Sequence, residues 1–388
     1  MTPVNRHSPR AGLPGKIAPA ALAPYAEPMT GWQRAPRGVS KLIDPGAHAA
    51  AGRAAPGTRG TRRAVGLGLA AALWVALPAA ADEAPKTGVW NLFVENDLFY
   101  GSDDNYTSGV AMAWVASPTP PPDWAVRIAR SVPWFPEIGE IRHGYIVGQN
   151  MYTPKDITLA EPLPGDRPYA GWLYATIGLG VESTGQTDQF AFTVGVVGPA
   201  SLAEQSQKAI HELIGSPEPK GWDTQLRNEP GIELAYQRRW RDVASARFAD
   251  LEMDMTPHAG GALGNVYTYA NAGITVRLGK RLASDLGPMR IRPSPPGSGF
   301  FIPSDTFSWY VFAGVDGRAV ARNIFLDGNT WKDSRSVRKK YLVGDYQWGL
   351  AVTWKGTRLT YTHVRRTREF ETQERSDDFG AFAVSVAF

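Results

Sequence analysis

At the carboxy terminus Phe382, Val384, Val386 and Phe388 alternate with Ala381, Ala383, Ser385 and Ala387. A period of two sets bulky residues on one face of a strand and small residues on the other. The same period recurs where Trp348, Leu350, Val352 and Trp354 alternate with Gln347, Gly349, Ala351 and Thr353. It recurs again where Phe190, Phe192, Val194 and Val196 alternate with Gln189, Ala191, Thr193 and Gly195. Similar segments begin near Val89, Tyr106, Gly144, Gly171, Glu229, Arg247, Tyr267, Thr306, Tyr341, Thr357 and Phe379. With the Gln189 segment they predict about twelve strands, an even number as single-chain bacterial barrels require.

No apolar run after residue 82 is long enough for a membrane helix. A secreted chain of alternating strands is then a candidate for a barrel that crosses a membrane with its strands. The expected fold is all-β: a transmembrane antiparallel up-and-down barrel of about 12 strands, large residues to lipid and small polar ones to the lumen. A soluble β-sandwich also alternates, but it hides its large faces in a shared core. The terminal Phe388 resembles the final residue of bacterial outer-membrane barrels. A barrel of this size has a narrow interior, mostly filled by side chains.

The amino-terminal part reads differently. Residues 1–60 are rich in Ala, Pro, Gly and Arg without periodicity and are expected to be disordered or untranslated. Arg62-Arg63 precede the apolar run Ala64 to Ala80, which ends in small residues, so 61–81 reads as a secretory signal and 82–388 as the barrel. Net charge changes meaning with this division. Residues 1–81 hold ten Lys/Arg against two Asp/Glu, leaving 31 basic and 35 acidic residues in 82–388. The basic character belongs to the leader and gives no nucleic-acid footprint. The chain has no Cys, which excludes disulfides, thiolate metal sites and cysteine nucleophiles.

One segment breaks the strand pattern. Ser201 to Gly215 predicts a helix in an extracellular loop, with a capping box from Ser201 to Glu204 and Gly215 at the C-cap. Gln207 and His211, four apart, share one face of it. After residue 82 the histidines are His143, His211, His258 and His363, and only His211 falls on this helix. Imidazole titrates near neutrality, so His211 is the general-base candidate. The competing reading has it packing the helix against the barrel rim.

Two loop clusters carry further polar groups. In VENDLFYGSDDNYTSG, Glu95, Asn96, Asp97, Asp103, Asp104, Asn105, Thr107 and Ser108 offer hard oxygen ligands of the kind calcium takes, while Asp103 to Asn105 read as a hairpin turn. Residues 148–154, GQNMYTP, precede DRPYAGW at 166–172, where Asp166, Arg167 and Tyr169 are candidates for polar or anionic head groups or for a structural clasp.

Taken together, ENDLF with NYTSG, GQNMYTP with DRPYAGW, the Gln207-xxx-His211 helix followed by GWDTQL, and DGNTWKDS at 327–334 resemble the lipid A 3′-O-deacylase family of Gram-negative outer membranes. The resemblance covers residues 88–388. It implies a calcium-dependent twelve-stranded barrel, monomeric by default, acting on lipid A in the outer leaflet, with its site between the barrel wall and a loop helix. It implies that His211 activates water, Gln207 orients groups beside it, Asn96 and Asp97 hold calcium or substrate, and Thr107 completes the polar cluster. Ser108 stands where the family motif has Asn, and Ala203 and Lys208 stand where the loop helix has Gly and Asn. Two alternatives stay open: an outer-membrane phospholipase with a Ser-His pair drawn from Ser108, Ser201 or Ser216, and a narrow channel without enzymatic activity.

Overall fold

The computed structural model describes residues 88–96, 108–116, 123–131, 139–282, 285, 287 and 306–388, apart from the side chains at 125 and 129. The expected leader and signal, Asp97, Thr107 and the Asp103 to Asn105 hairpin lie outside these residues.

Among the described residues thirteen strands follow one another in an antiparallel meander: β1 (Gly88–Asn96), β2 (Ser108–Ala116), β3 (Glu140–Tyr152), β4 (Ala170–Ser183), β5 (Gln186–Val197), β6 (Glu229–Trp240), β7 (Ala244–Phe248), β8 (Leu251–Gly264), β9 (Tyr267–Lys280), β10 (Ser308–Asn323), β11 (Leu342–Trp354), β12 (Thr357–Arg366) and β13 (Asp377–Ala387). Twelve of them close a barrel, because β1 pairs with β13 and β6 pairs with β8. The exception is β7. The strand expected near Arg247 falls in this five-residue piece, which pairs only with the lower half of β8, and the barrel strand itself begins at Leu251. Asp242 and Ala249 take left-handed backbone at the two ends of β7, which turns the hairpin tightly.

Burial follows the alternation. Trp90, Val110, Met112, Val147, Phe192, Leu234, Trp348 and Phe382 are exposed on the outer wall, while Asn91, Thr176, Gln237, Asp254 and Thr362 are buried inside. In a bilayer the exposed apolar band is solvated by acyl chains, so the pattern inverts that of a soluble protein. The lumen is filled by ion pairs. Arg277 clasps Asp254 at 2.5 and 2.9 Å, Arg358 reaches Asp285 at 2.8 Å, and Arg318 and Arg366 share Asp345 at 2.8 and 2.9 Å. His258 and Asn271 both meet Asp316 at 2.8 Å.

Both ends of the ring, Gly88 and Ala387, fall at the same rim, which is the periplasmic one for a chain that enters from inside. The opposite, extracellular rim carries the connections 153–169, 198–228, 324–341 and 367–376. There a one-turn helix, α3 (Ile324–Asp327), lowers Phe325 into the mouth, stacked on Tyr152 at 4.1 Å between centroids and tilted on Trp172 and Tyr267. The mouth is closed by aromatic packing. At the periplasmic rim a short helix, α1 (Asp123–Ser131), sets Trp124 edge-on to the outward His143.

Candidate functional site

The connection from β5 to β6 holds α2 (Ala203–Ile214), the helix expected between Ser201 and Gly215. Its C-terminus is as expected: Gly215 is left-handed at φ 71° and its N–H bonds back to the His211 carbonyl. The capping box is not formed. Pro199–Ser201 make a 3₁₀ turn, and Leu202, left-handed at φ 60°, takes the N-cap position with no side-chain cap. Glu204 is drawn away to Lys208 at 2.8 Å, so it does not reach back, and that contact holds the Lys208 ammonium above its usual range. Ser201 is instead buried, its main-chain carbonyl accepting from Gln149 Nε2 at 2.6 Å.

The helix sits on the outside of the barrel wall. In β3 the outward positions are Tyr145, Val147, Gln149 and Met151, and Met151 clusters with Ala203 of α2 and with Ile157, Tyr169 and Trp222, with Ile210 packed against them. Enclosing large side chains such as these contributes roughly 1.5–3 kcal/mol each, and with the Gln149–Ser201 hydrogen bond from β3 it seats the helix. Gly171, across from Met151 on β4, permits the approach: a Cβ there would overlap Ala203 Cβ and Ser201 Oγ.

The buried face of α2 carries Ala203, Gln207 and His211; the last two are 1% and 2% exposed. His211 Nδ1 lies 2.6 Å from the Pro217 carbonyl oxygen. A carbonyl only accepts, so Nδ1 carries a hydrogen, and Nε2 is the ring nitrogen left to act as a base. Gln207 Oε1 accepts from Trp222 Nε1 at 2.7 Å, which fixes the amide. Its Nε2 is buried with no hydrogen-bond partner among the described residues. The face therefore offers one fixed base and one fixed, unspent donor.

Strand register joins this face to the other candidates. Asn96 pairs with Ser108, Ser108 with Met151 and Met151 with Gly171, so the four form one transverse row across β1 to β4. All share the parity of the lipid-facing Trp90, Val110 and Val147, and the row ends under α2. Ser108 is buried although it faces outward. Asn96 and Ser108 thus share the outward row whose β3 and β4 end α2 covers. Their amide and hydroxyl oxygens are hard donors of the class calcium takes. Among the described residues no group of three or more His, Asp or Glu converges on a metal position.

The remaining candidates are not gathered on that face as a group. Asp166 accepts from the main-chain N–H groups of Lys155 and Arg167 at 2.9 and 2.7 Å. Arg167 is wholly buried, over the Tyr152 ring at 5.0 Å and 3.6 Å from Glu369, which places it at the closed mouth. Tyr169 is buried beneath α2, tilted on Trp222 at 5.0 Å, with its hydroxyl donating to the Ile157 carbonyl at 3.3 Å. Burial above all, with Asp156 and Asp166 nearby, pushes its phenol up to about 12. Trp222, Pro217, Gln149 and Gly171 build the site and were not singled out by sequence. Trp222, Gln149 and Gly171 stand inside quoted motifs, but what each touches cannot be read from a motif.

Fold and site together define an outer-membrane barrel that carries a polar, helix-covered site on its lipid-facing wall. The family model described as "Outer membrane protein LpxR" matches residues 67–388, and the chain belongs to that family. Among solved structures, LpxR from Salmonella typhimurium aligns with a TM-score of 0.64 at 19% identity, covering 77% of this chain and 100% of that one. The beta domain of the Bordetella autotransporter BrkA aligns at a TM-score of 0.38 and 9% identity, over 79% of this chain and 99% of its own. No curated protein sequence matches the chain.

Proposed function

We propose that this outer-membrane protein is a lipid A deacylase that hydrolyses the 3′-linked acyloxyacyl ester in the outer leaflet. The observation that carries the reading is the buried face of α2: His211 held by Pro217 and Gln207 held by Trp222, on a helix that packs over the β3–β4 end of the row beginning with Asn96. A diacylated lipid reaches such a face sideways from the leaflet, with its chains still in the bilayer.

In this reading His211 Nε2 removes a proton from water as the water oxygen bonds to the ester carbonyl carbon. The carbon–oxygen bond to the sugar then breaks, and the proton passes from His211 to the departing sugar oxygen. Gln207 Nε2 donates to the water or to the ester, which gives its unspent hydrogens a partner. Asn96 and Asp97 would hold calcium, Thr107 and Ser108 would add polar groups beside it, and Asp166, Arg167 and Tyr169 would fix the loop that presents the substrate. When bound, calcium supplies positive charge for the oxygen of the ester carbonyl. The packed walls around His211 keep bulk water from the base.

A serine esterase would need a nucleophile beside His211, and buried, outward Ser108 is the position in the row that offers one. A channel is disfavoured by the closure of the mouth around Phe325. The test is mass spectrometry of lipid A incubated with refolded residues 82–388, with calcium or with EDTA, beside His211→Ala. Calcium-dependent loss of the 3′ acyloxyacyl unit, abolished by the substitution, is expected. Unchanged lipid A with verified folding would sink the reading.

A further inference from the structure

A second feature of the outer wall lies away from α2. Down most of β9, β10 and β11 the outward residues are large, and the row Ile274, Val315 and Tyr346 is one example. The two rows above it, toward the extracellular rim, are Ala272, Gly317 and Gly344, then Ala270, Ala319 and Leu342. The loss of side-chain volume leaves a groove of about 810 Å³ in the wall, bordered at the rim by Lys340 and Arg368. That size lies within the roughly 300–1,000 Å³ of small-molecule sites. The neighbouring cations are paired, Arg338 with Glu371 and Lys339 with Asp327, whereas Lys340 and Arg368 have no carboxylate partner among the described residues. Around the ring, β10 stands six strand spacings from β3 and five from β4, on the far side of the barrel from α2.

From this juxtaposition, an acyl-sized groove in the lipid-facing wall capped by two unpaired cations at outer-leaflet height, we infer that β9–β11 hold a second, non-hydrolytic site for a phosphorylated glycolipid of the lipid A class. An acyl chain fills the groove, where close packing rather than water exclusion stabilises it. Its phosphate meets Lys340 and Arg368, a charge-assisted contact at the membrane surface. The occupant is placed by charge and by height: small apolar side chains face the acyl layer and cations lie directly above them. The inference does not depend on hydrolysis at α2.

Native mass spectrometry of the detergent-solubilised protein with bisphosphorylated lipid A, and with the same lipid stripped of phosphate, tests it. Every arm carries His211→Ala so that the lipid mass stays constant. Two variants are compared with this parent, Lys340→Glu/Arg368→Glu and Gly317→Leu. A Cβ at Gly317 meets nothing closer than 3.9 Å, so leucine fills the groove without disturbing the strand. The parent is expected to retain one more bisphosphorylated lipid than either variant, with at least tenfold weaker retention once phosphate is removed. Equal lipid counts in parent and variants would overturn the site. So would equal retention of the two lipids, or a dimer of the parent that Gly317→Leu dissociates, since a second copy would then cover the groove.

Discussion

Trp222 donates its indole N–H to the side-chain oxygen of Gln207 at 2.7 Å, across fifteen residues and from a 3₁₀ turn to the buried face of α2. That bond decides which end of the amide is oxygen and leaves Nε2 as a donor. Replacing Trp222 with Phe keeps the ring against Tyr169 and removes the bond. A neutral hydrogen bond contributes about 1 kcal/mol, and the loss of a fixed orientation adds to it. The rate of acyl release is expected to fall tenfold or more, with the barrel still folded by its heat-modifiable gel mobility. An unchanged rate would mean that the orientation of Gln207 has no part in the reaction.

Ser108 separates two chemistries. If water is the nucleophile, Ser108→Ala trims one polar group from the row and lowers the rate by less than about tenfold, as for a single neutral hydrogen bond. If Ser108 were the nucleophile, the same substitution would abolish turnover, and the wild type would carry an acyl adduct visible in its intact mass. Wild-type mass without an adduct, together with an active Ser108→Ala protein, is the expected pair.

Much of this architecture was legible because the bilayer imposes a simple demand. Phe382, Val384 and Val386 had to be large and Ala381, Ala383 and Ser385 small, and the alternation alone gave strand, face and class. Arg247 misled because a two-stranded hairpin alternates as well as a barrel strand does, and the positive backbone angles at Asp242 and Ala249 leave no clear composition signal. The helix and its Gln207–His211 face followed from spacing. Its amino-terminal cap did not, because Glu204 had two partners within reach and took Lys208. Pairings such as Arg318 with Asp345 or Arg167 with Glu369 join distant residues through register, which no local pattern encodes.

Tyr169 gives the helix seat a pH limit. Its phenol stays protonated to about 12 in the folded protein, against 10 for an ordinary tyrosine. Between these values the folded state binds more protons than the unfolded state, so the stability contributed by this group is whole below pH 10 and lost as pH rises toward 12. At about 1.4 kcal/mol per unit the loss is on the order of 3 kcal/mol. Limited proteolysis within α2 should accelerate over that window, and Tyr169→Phe, which cannot ionise, should flatten the response. Identical alkaline profiles for the two proteins would remove Tyr169 as the cause.

Gly171 tests whether the site needs α2 seated on the wall. The residue faces outward on β4 opposite Met151, and a side chain there collides with Ala203 and Ser201 while leaving the strand ladder intact. Gly171→Leu should therefore lift the amino-terminal turn of α2 and carry Gln207 and His211 away from the row of Asn96 and Ser108. The barrel keeps its register, so gel mobility and resistance to unfolding stay near wild type, whereas α2 becomes open to protease. A misplacement of about 1 Å is enough to cost roughly a hundredfold in rate, so acyl release should fall at least that far. Gly171→Ala, with one carbon to accommodate, should fall between the two. If Gly171→Leu exposes α2 to protease and yet releases acyl chains at the wild-type rate, the reaction does not take place between helix and wall.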